Sequence, residues 1–431
     1  MLILYNLHQI VQIVDDEEME CLRGDAMNSI KIIECENSSL AIFCDISGKI
    51  GALGTYQELI KKLENLYIDV SIIKHVDCKG GSVIPGLVDG HTHPVFAGDR
   101  VHEFAMKLAG ATYMEVQKAG GGIHFTTQKT REASEDQLLK DFEVIAKEML
   151  KSGTTLLEAK SGYGLDMETE IKQLQVLQSA SKRLPLEISG TFCGAHAVPK
   201  GSTEEAQTKL IIETILPEIE HMQKSGELTV VENIDVFCEK GVFELESSQK
   251  ILEAGKNIGL RANFHADELH PLGGAEMGAK IGATAMSHLE EISDEGLQAM
   301  SKTGTVAVLL PSTAYILRLT PPPARKMITA GIPVALGSDF NPNAYCLSMP
   351  TIMHLACVLF RMSMPEALVA ATLNAAFSLG RGKTHGAIAV GRVADMVVLN
   401  TKKWEHLIYR FGCHHMVIEQ VIKGGQIVFS K

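Results

Sequence analysis

Two histidines one residue apart, His91 and His93, close an apolar run that reads Val83-Ile84-Pro85-Gly86-Leu87-Val88-Asp89-Gly90-His91-Thr92-His93-Pro94. In an extended strand, residues i and i+2 face the same side. At the strand's C-terminal end the two imidazoles therefore aim at one point. Two convergent imidazoles are half of a zinc or iron site. A His-x-His pair also arises by chance in loops, so the metal reading depends on whether the chain supplies the missing ligands.

Residues of the right type recur further on: His196 in Gly194-Ala195-His196, His265 in His265-Ala266-Asp267-Glu268, His288, and Asp339 in Gly337-Ser338-Asp339. His91, His93 and His265 offer neutral imidazole nitrogens and Asp339 a carboxylate oxygen. Three nitrogens and one oxygen suit one Zn2+ or Fe2+/Fe3+ with an open position for water. Such a metal acidifies water enough to make hydroxide available near neutral pH. Glu268, three residues past His265, is placed to move protons between nucleophile, substrate nitrogen and leaving nitrogen. His288 is suited to orienting the nucleophile or stabilising an oxyanion. The chemistry is hydrolysis of a C–N bond at an sp2 carbon. Lys160, with Glu158 two residues earlier, is read as a structural or substrate-loop residue rather than a carbamylated bridge between two metals. That leaves one metal.

These residues need a frame that aims them together. From Leu87 onward, short apolar strands alternate with amphipathic helices, the pattern of a parallel α/β fold. Eight strands are expected at Leu87–Asp89, Thr154–Glu158, Glu187–Phe192, Ile234–Phe237, Leu260–Phe264, Thr284–Ser287, Val306–Leu310 and Val334–Gly337. Helices fall between them. Glu135–Lys151 carries a helical stripe of Leu138, Leu139, Phe142, Ile145, Ala146 and Met149; Glu168–Arg183 and Thr203–Lys224 are others. Eight strand–helix units fit a (β/α)8 TIM barrel, whose chemistry sits at the C-terminal ends of the strands. His91 and His93 follow the first strand, Lys160 and Tyr163 the second, His196 the third, His265 the fifth, His288 the sixth and Asp339 the eighth. Any one alone reads as a surface or packed residue; together at strand ends they read as a site.

Strands also bracket the barrel. Leu2–Tyr5, Ile10–Val14, Ser39–Cys44 and Ile72–Cys78 precede it, and Gly386–Val390, Asp395–Leu399, Met416–Ile422 and Gln426–Phe429 follow it. The expected organisation is a small β-sandwich domain built from 1–86 and 386–431, with the barrel inserted over 87–385. A chain of 431 residues, 45% hydrophobic and 21% charged, has enough apolar material for that core. Its net charge of −12 is mixed along the chain, with no basic face for nucleic acid. No apolar run is long enough to span a bilayer. Nine scattered cysteines without Cys-x-x-Cys suit a reducing compartment, and the N-terminus lacks the features of a signal peptide; a cytosolic protein acting on a small molecule is expected.

The run from Val83 to His93 resembles the opening of the metal-dependent amidohydrolase superfamily. His265-x-x-Glu268, His288 and Ser338-Asp339 look like its one-metal branch. His91-Thr92-His93-Pro94-Val95-Phe96-Ala97-Gly98-Asp99-Arg100, Gly120-Gly121-Gly122-Ile123, Lys160-Ser161-Gly162-Tyr163-Gly164-Leu165, Gly194-Ala195-His196 and Ser338-Asp339-Phe340-Asn341-Pro342 together resemble the imidazolonepropionase family. The resemblance covers nearly the whole chain. It implies hydrolytic opening of 4-imidazolone-5-propionate to N-formimidoyl-L-glutamate in histidine degradation, with zinc or iron, by a homodimer. It implies that Arg100 holds the substrate carboxylate, as a bidentate guanidinium suits. Tyr163 and His196 match substrate-binding positions, Glu268 and His288 the proton-handling pair, and Asn341 a contact to the opened product. One departure stands out. The family commonly continues Asn-Pro with Gly-Thr, whereas this chain reads Asn341-Pro342-Asn343-Ala344. A hydroxyl contact is absent at Ala344, and Asn343 is the residue left to compensate, through its side chain or its backbone amide. The rival readings are a nucleobase deaminase and a non-catalytic barrel scaffold.

Overall fold

A computed structural model describes residues 1–16, 18–35, 39–110 and 121–431. Gly120 of the glycine run lies outside them. The chain opens with β1 (Leu2–Ile13), β2 (Lys31–Glu34), β3 (Leu40–Cys44), β4 (Ile50–Thr55) and β5 (Lys74–Pro85). After Gly86 come β6 (Leu87–Asp89), β7 (Thr154–Lys160), β8 (Glu187–Ala195), β9 (Val231–Cys238), β10 (Arg261–Ala266), β11 (Ala285–His288), β12 (Val306–Leu309) and β13 (Val334–Leu336). The chain ends with β14 (Met396–Leu399), β15 (Ile418–Lys423) and β16 (Gln426–Ser430).

The eight strands β6 to β13 pair in sequence order, all parallel. Strands buried on both faces must be apolar nearly throughout, and Val306–Leu309 and Val334–Leu336 are buried at every position. The interior packs Val88, Leu156, Ala285, Val306, Val308 and Ala335 against Ala375, Ala376 and Leu379. The seam between β13 and β6 is closed just beyond the strands. Gly90 N–H donates to the Leu336 carbonyl at 3.2 Å, Asp339 N–H to that of His91 at 2.9 Å, and His93 N–H to that of Phe340 at 2.8 Å. The residues that close the barrel are thus the ones expected to carry its chemistry.

The other strands form a second sheet in the order β16-β15-β14-β5-β1-β3-β4, with β2 also on β1. Both chain ends contribute, meeting where β14 runs antiparallel to β5. One face buries Leu2, Leu4, Ile42 and Ile50. The other buries Ile3, Ala41 and Phe43 under Leu59 and Leu63 of helix Tyr56–Asn65. Val11, Ile84, Val397 and Val421 join the core of the barrel's outer layer. On this pairing we propose the division into 1–86 with 386–431 and 87–385.

Helix Glu135–Lys151 forms over its expected span, with Ser134 accepting the Gln137 N–H and the apolar stripe buried. Thr203–Lys224 departs from expectation. It comprises Glu204–Leu210, a π segment Ile211–Ile215, and Leu216–Ser225. Pro217 has no N–H to donate back to Glu213, which accounts for the locally widened turn. Leu2–Tyr5 and Ile10–Val14 are one strand, kinked where Asn6 takes φ 58°. Gly386–Val390 is not a strand: Gly386 turns at φ 75°, and Ile388 N–H bonds the Gln12 carbonyl at 3.0 Å from outside any ladder.

Candidate metal centre

Three imidazoles meet at the top of the barrel. His91 Nε2 lies 3.2 Å from His93 Nε2, and His93 Nε2 lies 3.2 Å from His265 Nε2. Asp339 Oδ1 is 3.5 Å from His91 Nε2 and 3.6 Å from that of His93. A tetrahedral ion with bonds of about 2.0–2.1 Å spaces its ligand atoms about 3.3 Å apart. The observed separations match that spacing, so the donor set fits one ion. Burial, joined by the charge of Lys160, pushes the His91 imidazole well below its usual range. Burial does the same to His93, with His196 and His265 beside it. Both rings are thereby held neutral, the form that ligates.

Each donor is aimed by a neighbour, as metal-binding imidazoles require. His91 Nδ1 meets Ser287 Oγ at 2.8 Å. His265 Nδ1 donates to Asp235 Oδ1 at 2.8 Å, leaving Nε2 pointed at the cluster. The other Asp235 oxygen takes Lys160 Nζ at 2.7 Å, and Lys160 also meets Glu158 Oε1 at 2.7 Å. Glu158 in turn accepts the Thr92 N–H at 3.2 Å, inside the His-Thr-His stretch. Lys160 is therefore a buried structural cation and no part of a substrate loop. Burial alone would lower it, but Asp235 and Glu158 hold its ammonium above the usual range. An ammonium pinned between two carboxylates is not available for carbamylation. Asp339 accepts a hydrogen bond from the Thr313 hydroxyl.

The backbone is bent to make these approaches. Asp267, His288, Leu289 and Asp339 all take left-handed φ values, between 46° and 76°. For non-glycine residues this conformation is uncommon and strained, and it collects at functional sites. His288 is the last residue of β11 rather than following the strand, and His265 lies inside β10. His288 Nε2 sits 3.6 Å from Glu268 Oε2. Burial raises the Glu268 carboxyl well above its usual range, with Glu290 and Asp339 adding to it.

A cavity of about 460 Å³ opens over the cluster. It is lined by His93, Arg100, Tyr163, His196, His265, Glu268, His288, Asp339, Asn341 and Asn343. Every expected site residue except His91, which is fully buried beneath, thus faces one space. A larger cavity of about 790 Å³ shares Arg100 and Asn343 with it but touches none of the histidines. His196 stacks on His93 at 4.6 Å between ring centres, its Nδ1 donating to the Gly162 carbonyl at 3.0 Å. The Tyr163 loop is held by Glu170, which accepts the N–H groups of Gly162, Gly164 and Leu165 at 2.8 to 3.0 Å. Arg100 donates through Nε and Nη2 to Glu103 at 2.8 and 2.7 Å. Asn341 Oδ1 accepts the N–H groups of Asn343 and Ala344 at 2.7 and 3.1 Å. The Asn343 backbone amide is therefore already engaged, and compensation for the absent hydroxyl does not run through it.

Asp235, Glu158, Glu170 and Glu290 were not foreseen as parts of the site. An acid within the apolar run Asn233-Ile234-Asp235-Val236-Phe237 is the one sequence signal that pointed to Asp235. Glu158, in the run Leu156-Leu157-Glu158-Ala159, carries the same signal, and Glu170 and Glu290 have none.

The Amidohydrolase family model matches residues 82–428. A probable imidazolonepropionase of Nematostella vectensis is 56% identical over 431 residues, covering 100% of this chain and 99% of that protein. Its Homo sapiens counterpart is 52% identical, covering 100% and 98%. Among solved structures, an E. coli guanine deaminase superposes with TM-score 0.68 at 15% identity, covering 100% and 99%. A zinc-bound adenosine deaminase from Xanthomonas campestris gives 0.68 at 16%, covering 100% and 93%. Those distant likenesses speak for the barrel alone. The high identity across the full chain carries the assignment: this chain belongs to the imidazolonepropionase family of amidohydrolases, which are metal-dependent.

Proposed function

We propose that this hydrolase opens the ring of 4-imidazolone-5-propionate to N-formimidoyl-L-glutamate. The observation that carries the reading is one cavity holding both the donor cluster and Arg100. The substrate has a cyclic amide at one end and a carboxylate at the other, and the cavity offers a matching group for each. His91, His93, His265 and Asp339 would hold a single zinc or iron ion. When bound, that ion supplies Lewis acidity for the ring carbonyl and for water.

The chain's own residues do the rest. Glu103 occupies the Nε–Nη2 edge of Arg100, so the propionate pairs with the Nη1–Nη2 edge. Tyr163 and His196 flank the ring, and Asn341 and the Asn343 side chain lie where the opened product leaves. Glu268 takes a proton from the attacking water as its oxygen bonds to the ring carbonyl carbon. The C–N bond then breaks, and Glu268 returns the proton to the departing nitrogen. Its carboxyl is raised by burial, which suits a group that must both accept and donate near neutral pH. His288, kept neutral by burial, donates from Nε2 to the developing oxyanion. Among the described residues no helix is long and apolar enough to cross a membrane; the scattered cysteines support a cytosolic setting. The exposed Val101, Phe104 and Tyr345 beside the larger cavity support a homodimer.

The test is turnover of imidazolone propionate against a panel of nucleobases, with metal chelated and then restored. Ring opening that disappears on chelation and returns with zinc or iron is expected. Ammonia release from a nucleobase, or activity indifferent to chelation, would overturn the reading. Arg100→Ala should raise KM about 10- to 100-fold with a smaller change in kcat, as loss of a charged contact to the substrate predicts.

A further inference from the structure

Arg100 immediately precedes helix Val101–Leu108, and Glu103 lies in its first turn. The two side chains fold onto each other across that turn. Arg100 Nε donates to Glu103 Oε1 at 2.8 Å, and Nη2 donates to Oε2 at 2.7 Å. The backbone closes the same turn, with Glu103 N–H on the Arg100 carbonyl at 3.0 Å. On an exposed helix face such a pair contributes little. This one is not exposed: the Glu103 side chain is 1% accessible and that of Arg100 11%. Burying two charges costs desolvation that their mutual attraction often fails to offset, so stability alone does not account for the pair.

A second segment pins the carboxylate. Gly122 N–H donates to Glu103 Oε1 at 2.6 Å from the start of helix Ile123–Glu132. Its neighbour Gly121 packs so closely that a Cβ there would stand 2.8 Å from Oε1 and 2.9 Å from Cδ and Cγ of Glu103. Of the five N–H donors on a guanidinium, Glu103 takes two. Those that remain lie along the Nη1–Nη2 edge of a residue that lines the cavity. We propose that Glu103 is a positioning residue that holds the Arg100 guanidinium in one orientation, with that edge ready for a two-oxygen anion, and that Gly121 leaves the room this hold requires. The inference rests on the reading of Arg100 as the group that pairs with the substrate carboxylate. A preset guanidinium spares the ordering of a long side chain when the ligand binds. A role in charge balance alone predicts the opposite sign. A Glu103 that only offset the charge of Arg100 would compete with an anionic ligand, and its removal would tighten binding.

Calorimetric binding of 3-(imidazol-4-yl)propionate and of its uncharged amide to the metal-loaded protein decides between these signs. Wild type should prefer the acid. Glu103→Ala should lower that preference about 3- to 10-fold, the range for immobilising one rotamer-rich side chain on binding. KM for imidazolone propionate should rise by a similar factor, with kcat within about two-fold of wild type. Gly121→Ala keeps every charge and every hydrogen-bonding group but displaces Glu103, and should show the same loss. Glu103→Gln keeps an oxygen for Arg100 Nε and Gly122 and should retain more of the preference than Glu103→Ala. An unchanged preference in Glu103→Ala or Gly121→Ala, tighter binding of the acid, or acid and amide weakened alike would overturn the role. The two readings fail separately. Wild-type protein that opens no imidazolone ring sinks the proposed function and this inference with it, whereas a wild type that opens the ring beside variants of unchanged preference sinks the role of Glu103 alone.

Discussion

Two groups of histidine and carboxylate lie at opposite ends of the barrel strands. At the C-terminal ends His91, His93 and Asp339 bring their donor atoms within 4.8 Å of one another, and at the N-terminal ends Glu187, His385 and Asp395 do the same. By residue type and spacing alone both are candidate metal sites. They differ in where the positive charge comes from. In the lower group Lys423 Nζ sits 2.8 Å from Glu187, 2.7 Å from Asp395 and 3.5 Å from His385. Arg381 Nε adds a contact to Glu187 at 2.6 Å. The chain fills that site with its own cations. In the upper group the one buried lysine, Lys160, is turned away onto Glu158 and Asp235, and the Nε2 atoms of His91, His93 and His265 face one another and the Asp339 carboxylate. Closely packed donors with no internal cation call for an external one. The lower group instead ties β8 of the barrel to β15 of the terminal sheet.

The sharpest way to break this comparison is to remove one histidine from each end. His265→Ala should abolish ring opening and sharply weaken metal retention, since it removes one of the four donors together with the Asp235 contact that aims it. His385→Ala should leave metal content and turnover per folded molecule as they were, while lowering thermal stability. Metal analysis and turnover on both variants decide it. Loss of metal from His385→Ala would erase the distinction.

A smaller effect is expected one bond away from the cluster. Asp235→Asn keeps the shape of the hydrogen bond to His265 Nδ1 but removes the charge shared with Lys160. Changes to such outer partners cost about 10- to 100-fold in metal affinity or activity. Competition with a chromophoric chelator should show weaker metal retention, with activity recovered at excess metal. Retention equal to wild type would mean that Asp235 serves only the barrel's interior packing.

The two ends also differ in how far they can be read from sequence. The upper site was legible because its ligands sit at strand ends, and strand ends follow from hydrophobic runs. His91, His93, His265 and Asp339 meet once eight parallel strands are counted. The supports were not legible, because their partners are set by tertiary approach. Glu170 reaches three loop N–H groups from a helix, and nothing in Met167–Arg183 marks it. Glu290 comes to lie beside His288 only through a left-handed turn that a non-glycine pair, His288-Leu289, gives no reason to expect. The lower network was missed for the same reason: Glu187, His385, Asp395 and Lys423 come from four separate segments. The strand expected at Gly386–Val390 failed because alternation cannot reveal that Ile388 would be claimed by Gln12 from outside a ladder.

The smallest expected effect is a pH dependence that belongs to the lower group alone. Burial would raise the Glu187 carboxyl, but His385 and Lys423 outweigh it and hold the group far below the usual carboxylate range. In the unfolded chain a glutamate titrates near about 4.3. A carboxyl depressed on folding stabilises the native state fully above its unfolded value, and that contribution fades as pH falls toward the folded one. Glu187→Gln should therefore cost about 1.5–3 kcal/mol near neutral pH, the range for hydrogen bonds to charged partners. The gap between variant and wild type should narrow steadily below about pH 4, where the unfolded chain takes up the proton. Denaturant midpoints at neutral, mildly acid and strongly acid pH measure that gap. Turnover should not change, because Glu187 begins β8 at the end away from the cavity. A gap independent of pH would make the Lys423–Glu187 contact a matter of packing rather than charge, and would leave the lower group without the internal cation that distinguishes it.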